Sequence, residues 1–570
     1  MASSAADRRR FLFAGGAGAM AALGASMVRG QTSDPRAADS VVVNATVLTV
    51  DGRAPRASAF AVRDGRFIAV GRSEDIRGLV GSGTKVFDAK GMTVVPGFID
   101  CHNHAPGESL LYDVLVGNPY EVEFVTIDSI VDKLRARAAK TAPGSWVEGQ
   151  FFDDTKLKSD RPLHRRDLDL VSREHPVAVH HRGGHTVFVN SKALELAGIT
   201  KATPNPFGGT FDHDTDGELN GRVTDLAGGV FDKVGNRQGF TPAETAERAR
   251  AGLAHISRQF VRYGLTTVHH EGGDLAALQE VRARGELLHR VGFEAYDDIL
   301  DGLIREGFKT GFGDEWIRIG ATAEHTVDGS FSERTMAIST PYPGVSPPYH
   351  GNVTQTQPAL NAWVEKVHRA GLQVNCHANG DVAIDMYLTA CERAQALFPR
   401  RDPRPKITHC TLVNDGLIKR IKAAGAVPAV FSTYPFYNSD KFKFYGEALL
   451  EHCIAIRSML DAGIPVAAGS DFPPGPFSPL MAIQAMVTRT GWDGKTWGAN
   501  QRITVEEALR VHTLNGAYNS GEEGLKGSIT PGKLADFVVL AANPLAIRPE
   551  QIKDIRIVQT VTGGLVRYSG

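Results

Sequence analysis

Cysteine is scarce and odd in number. Cys101, Cys376, Cys391, Cys410 and Cys453 are the only five in 570 residues, which excludes a disulfide-scaffolded fold. An excess of charge of one sign is missing too. With 63 Lys and Arg against 64 Asp and Glu, the formal net charge is −1. No global field therefore draws the chain to nucleic acid or to an anionic membrane. Nor is there the polar, low-complexity bias of a disordered chain: 42% of residues are hydrophobic and 22% charged, as in ordinary globular proteins. These absences leave a small-molecule partner as the expectation, with a homo-oligomer left open.

The N-terminus stands apart. Asp7-Arg8-Arg9-Arg10-Phe11-Leu12 leads into an uncharged, Gly- and Ala-rich run from Phe11 to Met27, too short to span a bilayer comfortably. Residues 1–30 read as a twin-arginine export signal. This implies the translocation machinery as a transient partner, a periplasmic or otherwise exported location, and no stable membrane span once the signal is removed.

Residues 38–95 read as short strands separated by turns, and residues 522–570 carry a matching β signature around Ala535 to Leu540 and Ile555 to Val561. The two ends are expected to build one small β-sandwich domain. Between them, over 96–521, apolar β-type runs alternate with amphipathic helical stretches, the pattern of a parallel α/β architecture. Eight such runs are Val95 to Cys101, Leu265 to His270, Arg290 to Tyr296, Ile317 to Glu324, Leu372 to His377, Lys406 to Cys410, Val427 to Ser432 and Pro465 to Asp471. The expected fold is a (β/α)8 TIM-type barrel, with residues 105–250 as a cap-like insertion after strand 1. Thr504 and Glu507 form a capping box for a helix after the eighth strand.

The chemistry lies at the strand ends. His102 and His104 are two residues apart on an extended segment, so both imidazoles face the same way and can reach one cation. A lone His-x-His also occurs at polar strand ends. Later strands, however, end in Glu324, His377, His409 and Asp471, and in a (β/α)8 barrel all these ends converge on one face. Three cysteines adjoin these histidines, and strand alternation turns them outward as packing residues.

The motifs PGFIDCHNH, HTVFVNSKALELAGI (His185 to Ile199), DGSFSERT (Asp328 to Thr335), HANGD, ITHC, GSDFP and KGSITPGKLADFVVL resemble the amidohydrolase superfamily. Within it, the sequence is similar to amidohydrolase family 3, the group that includes N-substituted formamide deformylases. The resemblance implies His102, His104 and Asp471 on one metal, His377 and His409 on a second, and a bridging group from the fourth strand. Many relatives use a carboxylated lysine there. This chain has Glu324, a carboxylate without modification, and Lys309 lies too far from the strand end to substitute. One or two divalent ions are therefore expected, zinc best suiting an imidazole-rich site, with manganese, iron or cobalt as alternatives.

The expected reaction is hydrolysis of a non-peptide amide-type C–N bond in an N-acyl, N-formyl or carbamoyl compound. A metal-activated hydroxide attacks, and Asp471 shuttles the proton. The resemblance makes Arg182, His185 and Arg334 candidates for substrate binding, with an Asp328–Arg334 pair as an alternative use of the last. His269, His270 and Glu271 are given no metal role and are expected to line the pocket or pack, while Asp212 and His213 are expected to be exposed. Two other readings stay open: a heterocycle deaminase using one metal, and a non-catalytic exported binding protein that keeps a structural metal.

Overall fold

The computed structural model describes residues 37–570, so the expected export signal lies outside the described residues. At the centre are two parallel sheets. Phe98–Asn103, Leu265–Glu271, Arg290–Ala295 and Ile317–Thr322 make one. Asn375–Ala378, Lys406–His409, Val427–Phe431 and Ala467–Gly469 make the other, with the two-residue strand His325–Thr326 on its edge. Isolated parallel bridges, Ala321 to Gln373 and Asn103 to Phe472, run between the two sheets at both seams. The eight strands overlap the eight expected segments. Most are buried along their whole length, as strands covered on both faces must be, and this is why they read as apolar runs without alternation.

The first strand begins later than its apolar run suggests. Thr93–Pro96 pairs with Phe537–Leu540, and the parallel strand starts only at Phe98. Gly97 is the pivot: a Cβ there would stand 2.0 Å from Thr266 Oγ1, so only glycine lets the chain turn from one sheet into the next. Both ends of the chain contribute to the outer sheets. Ser40–Val43, Ala59–Arg63, Arg66–Gly71 and Lys85–Asp88 form one sheet, and Thr93–Pro96 joins Thr46–Leu48, Arg56–Ala57, Phe537–Leu540, Ile557–Thr562 and Leu565–Ser569 in another. The two share a core in which the Phe60 ring meets Phe67 and Phe537 edge-on at 5.2 and 4.9 Å.

Between the first and second parallel strands lies a six-stranded mixed sheet, built from Val114–Leu115, Val147–Phe152, Val177–His181, Thr186–Val189, Phe211–His213 and Leu219–Thr224. Strand alternation divides its side chains. Val147, Val179 and Phe188 pack with Ile130 and Leu134 of the helix Ile127–Ala138. Trp146, Ala178, Val189 and Val223 take the opposite face, which the 3-10 segment Asp225–Lys233 covers through Ala227 and Phe231. The helix Pro242–Arg262 crosses the expected boundary at 250. Its capping box, Thr241 with Glu244, places its start at 242, and it leads directly into the second strand.

All five cysteines are buried and unpaired. Cys101 Sγ lies 3.7 Å from the Gly516 carbonyl, on the helix-facing side that alternation assigned to it. The capping box of Thr504 and Glu507 is also present. No helix among the described residues is long and apolar enough to cross a membrane.

Beneath the strand ends sits a fully buried ion pair. Lys406 Nζ donates to Glu294 Oε1 at 2.7 Å, Glu294 Oε2 at 2.8 Å and the Cys101 carbonyl at 2.6 Å. Burial pushes the Glu294 carboxyl up, but Lys406 and then His269 outweigh it and bring it down to about 2. Removing one partner strands the other charge. Lys406→Met is expected to cost about 3–5 kcal/mol, with most of it regained in the double variant Lys406→Met/Glu294→Leu. Urea unfolding checks this, and a loss below about 1 kcal/mol in the single variant would show that the pair contributes little.

Candidate metal centre

Sequence spacing put His102 and His104 on one side of their strand, and the fold aims both at Asp471. Asp471 Oδ1 is 3.0 Å from His102 Nε2 and 3.1 Å from His104 Nε2. Asp471 is held in place by its own N–H, which donates to the His102 carbonyl at 2.9 Å, and by its neighbour Ser470. Ser470 donates from its N–H and its hydroxyl to the buried Asp100 carboxylate at 2.9 and 2.6 Å. Asp100 thereby ties the first strand to the last.

Glu324 lies between two groups of histidines. Its Oε2 is 3.6 Å from His102 Nε2, 3.4 Å from His377 Nδ1 and 3.2 Å from His409 Nε2, and its Oε1 is 4.0 Å from His104 Nε2. His377 Nδ1 and His409 Nε2 are themselves 2.8 Å apart. Three overlapping groups able to hold a cation result: His102, His104 and Glu324; His102, His409 and Asp471; and Glu324, His377 and His409. Donors bound 2.0–2.1 Å from one tetrahedral cation stand about 3.3 Å apart, so these separations fit ligand sets without rearrangement of the strands.

Two further observations fit a cation here. Both ring nitrogens of His102 and the Oε2 of Glu324 are buried and make no aligned hydrogen bond although polar groups stand as close as 3.0 and 3.2 Å, a costly arrangement unless something else satisfies them. His377 Nε2 lies 3.1 Å from the Gly329 carbonyl, which can only accept. The Asn379 Nδ2 amide is also 2.9 Å from Nε2, so this nitrogen is engaged away from the site and Nδ1 is the one that faces Glu324 and His409. His409 and Asp471 also adopt positive backbone angles, φ 75 and 54, of the strained kind that collects at functional sites.

Electrostatics follow from the crowding. Burial pushes the Asp471 carboxyl up, but His409, His102 and His104 hold it below the usual carboxylate range. Glu324 is likewise held well below it by His102, His377 and His409, against its own burial. Glu271, which ends the second strand, is pushed well above the range by burial and by the neighbouring Glu324 and Glu294 carboxylates. Glu271 packs against the central side chains. Its Oε1 accepts the Glu324 N–H at 2.6 Å and its Oε2 stands 3.7 Å from His102 Nδ1, so it backs the two central side chains. Alternation on its strand was the available signal. His269 and Glu271 point inward, while His270 turns out to meet His289 at 2.9 Å.

The candidates for substrate contact divide. His185 lines a cavity of about 300 Å³ together with His104, Glu324, His377, His409 and Asp471, its ring centroid 4.8 Å from that of His377. Its Nδ1 is 2.8 Å from Asp225 Oδ1. Burial would lower its pKa, but Asp225 and Glu333 overcome this and raise it to about 9. The loop carrying it rests on Glu333, which accepts the His185 N–H at 3.1 Å. A Cβ on Gly183 would fall 1.9 Å from Glu333 Oε1, so glycine is required for this docking.

Arg182 does not line that cavity. It is buried, and its guanidinium donates to the carbonyls of Pro473 at 2.9 Å and Asn118 at 3.1 Å and to the Tyr437 hydroxyl, which leaves it a tie between loops and not a free substrate ligand. Arg334 also lies elsewhere. It does not line the cavity; it pairs with Asp154 at 2.8 Å and lies over the Phe444 ring. Nor does it meet Asp328, whose carboxylate instead accepts the N–H groups of Asn379, Gly380 and Ala337 at 2.8–2.9 Å. Lys309 packs against Gly371, before the fifth strand and away from the site. His213 is exposed, and Asp212 is half-buried in an ion pair with Arg222.

Histidines and carboxylates gathered at the ends of parallel strands define a metal-dependent hydrolase of the TIM-barrel type. The sequence profile of the amidohydrolase family matches residues 85–568, and the chain belongs to that family. It is 27% identical over 542 residues to an N-substituted formamide deformylase of Arthrobacter pascens, covering 93% of this chain and 98% of that one. It is also 27% identical over 556 residues to the protein LONG AFTER FAR-RED 3 of Arabidopsis thaliana, covering 93% and 92%. Among solved structures, an uncharacterized metal-dependent hydrolase of Pyrococcus horikoshii OT3 superposes with a TM-score of 0.68 at 23% identity, over 90% of this chain and 99% of that one.

Proposed function

We propose that this protein hydrolyses a non-peptide amide-type C–N bond, in an N-formyl, N-acyl or carbamoyl compound, at a centre of two divalent ions, zinc being the best match to the donors. The observation that carries this reading is Glu324, one carboxylate within 3.2–4.0 Å of histidines from both groups. His102, His104 and Asp471 would hold one ion, His377 and His409 the other, and Glu324 would serve both. Bound divalent ions would supply water activation near neutral pH and polarisation of the scissile carbonyl. Asp471, ionised among its histidines, takes the proton of the attacking water and returns it to the leaving nitrogen. His185, fixed by Asp225, binds the carbonyl or carboxylate of the substrate. The similarity to the Arthrobacter deformylase favours a formamide among the candidate substrates.

The supporting architecture belongs to the same proposal. We read the eight parallel strands as a closed barrel, the six-stranded insertion as a cap over its mouth and the outer sheets as a β-sandwich domain. We read the N-terminal Arg8-Arg9-Arg10 segment as directing export by the twin-arginine route.

Chelation followed by elemental analysis tests the centre. The stripped protein is expected to lose hydrolysis of a formamide panel and to regain it with about two equivalents of zinc, amine and formate appearing together. Hydrolysis that survives complete stripping would sink the reading, and free ammonia from heterocycles with a single bound ion would replace it with deamination. Glu333→Ala is expected to lower kcat/KM by about 10- to 100-fold while metal content stays unchanged, because the His185 loop loses its anchor. Unchanged kinetics would remove Glu333 from the positioning of that loop.

A further inference from the structure

His185 and Asp225 line two neighbouring cavities. One is the space beside Glu324 and Asp471. The other is a cavity of about 240 Å³ inside the insertion, between its six-stranded sheet and the 3-10 segment Asp225–Lys233, and Gly184, His185 and Asp225 line both.

Strand alternation explains what the second cavity offers. The sheet face away from the helix Ile127–Ala138 presents Trp146, Val187, Val189 and Val223, and Phe231 of the 3-10 segment closes over them. Trp146 is fixed by its Nε1, which donates to the Val234 carbonyl at 2.7 Å. The carboxylate of Glu148, at the same cavity, is already taken up by Arg237 at 2.9 Å and His180 at 3.2 Å. Beside the polar residues His181, Thr186 and Asp232, which also line it, the cavity keeps an aromatic and aliphatic sheet wall. Such a surface gains free energy by receiving apolar groups and little by receiving charged ones. Asp225 starts the 3-10 segment at φ 46, so the residue that orients His185 also begins the strap over this cavity.

We propose that this cavity is a second substrate subsite, which accepts an aryl or alkyl substituent extending from the amide past His185. The proposal rests on the amide-hydrolase reading above. It assigns the preference for long, apolar substituents to the insertion and not to the metal centre.

The test compares N-methylformamide with N-(4-phenylbutyl)formamide on the zinc-loaded full chain. Val187→Trp fills the cavity from the sheet side. Gly228→Leu fills it from the strap, where an added Cβ meets nothing closer than Val187 at 4.0 Å. Each variant is expected to lower kcat/KM for the long substrate by about tenfold or more, with the short substrate changed less than about twofold. Folding is read from the retained activity on the short substrate, and two variants from opposite walls guard against failure of either one. Equal losses on both substrates, or no loss on the long one, would overturn the subsite. If the parent protein turns over neither formamide, the amide-hydrolase reading fails instead, which is a separate outcome.

Discussion

Asp471→Asn is expected to lower kcat by about 10³-fold while leaving metal content and fold unchanged. The substitution keeps the size of the side chain and an oxygen that can face His102 and His104, which stand 3.0 and 3.1 Å from Oδ1. It removes the basicity. Neighbouring histidines outweigh burial and keep this carboxyl ionised far below neutral pH, so the aspartate is unprotonated and ready to accept whenever the enzyme works. An amide cannot take that proton, so the loss should fall on kcat, with KM little altered. A variant with normal metal content and unchanged kcat would remove Asp471 from proton transfer and leave it a ligand only.

The second large effect is at Glu324. Glu324→Gln is expected to reduce bound divalent metal by about one equivalent and kcat/KM by about 10²- to 10³-fold. A neutral amide does not offer two anionic oxygens to two cations, and here one carboxylate faces His102 and His104 on one side and His377 and His409 on the other. His102, His104 and Asp471 lie together without Glu324, so the ion assigned to them should be retained. The two variants thus separate roles: one changes catalysis at constant metal, the other changes the metal. Two equivalents retained in Glu324→Gln would sink the bridging role.

Much of this centre was legible as residue types at strand ends. His102 and His104 announce themselves by spacing two apart, and His377, His409 and Asp471 each close an apolar run. Glu324 stood out because it occupies a position where the resemblance expects a modified lysine. What stayed hidden had no periodic signature. Asp100, Asp225 and Glu333 act through contacts 370, 40 and 148 residues away along the chain, and only folding brings such partners together. Arg182 illustrates the converse. Its neighbours in sequence suggested a substrate ligand, but its donors are consumed by carbonyls of Asn118 and Pro473, and sequence carries no record of where a guanidinium spends its hydrogen bonds.

By itself the sequence determined that this is a parallel α/β chain with eight buried strands, because strands covered on both faces must be continuously apolar and the segments between them must be amphipathic. It also determined the donor types available to a cation, since imidazole and carboxylate chemistry is a property of the residue. The tertiary structure decided the rest. It gathered the donors at one face, put the Glu324 carboxylate between two histidine groups, and docked Gly183 on Glu333 beside His185. Distance between side chains is set by how strands and loops pack, and a linear order of residues fixes no distance beyond the reach of a few bonds.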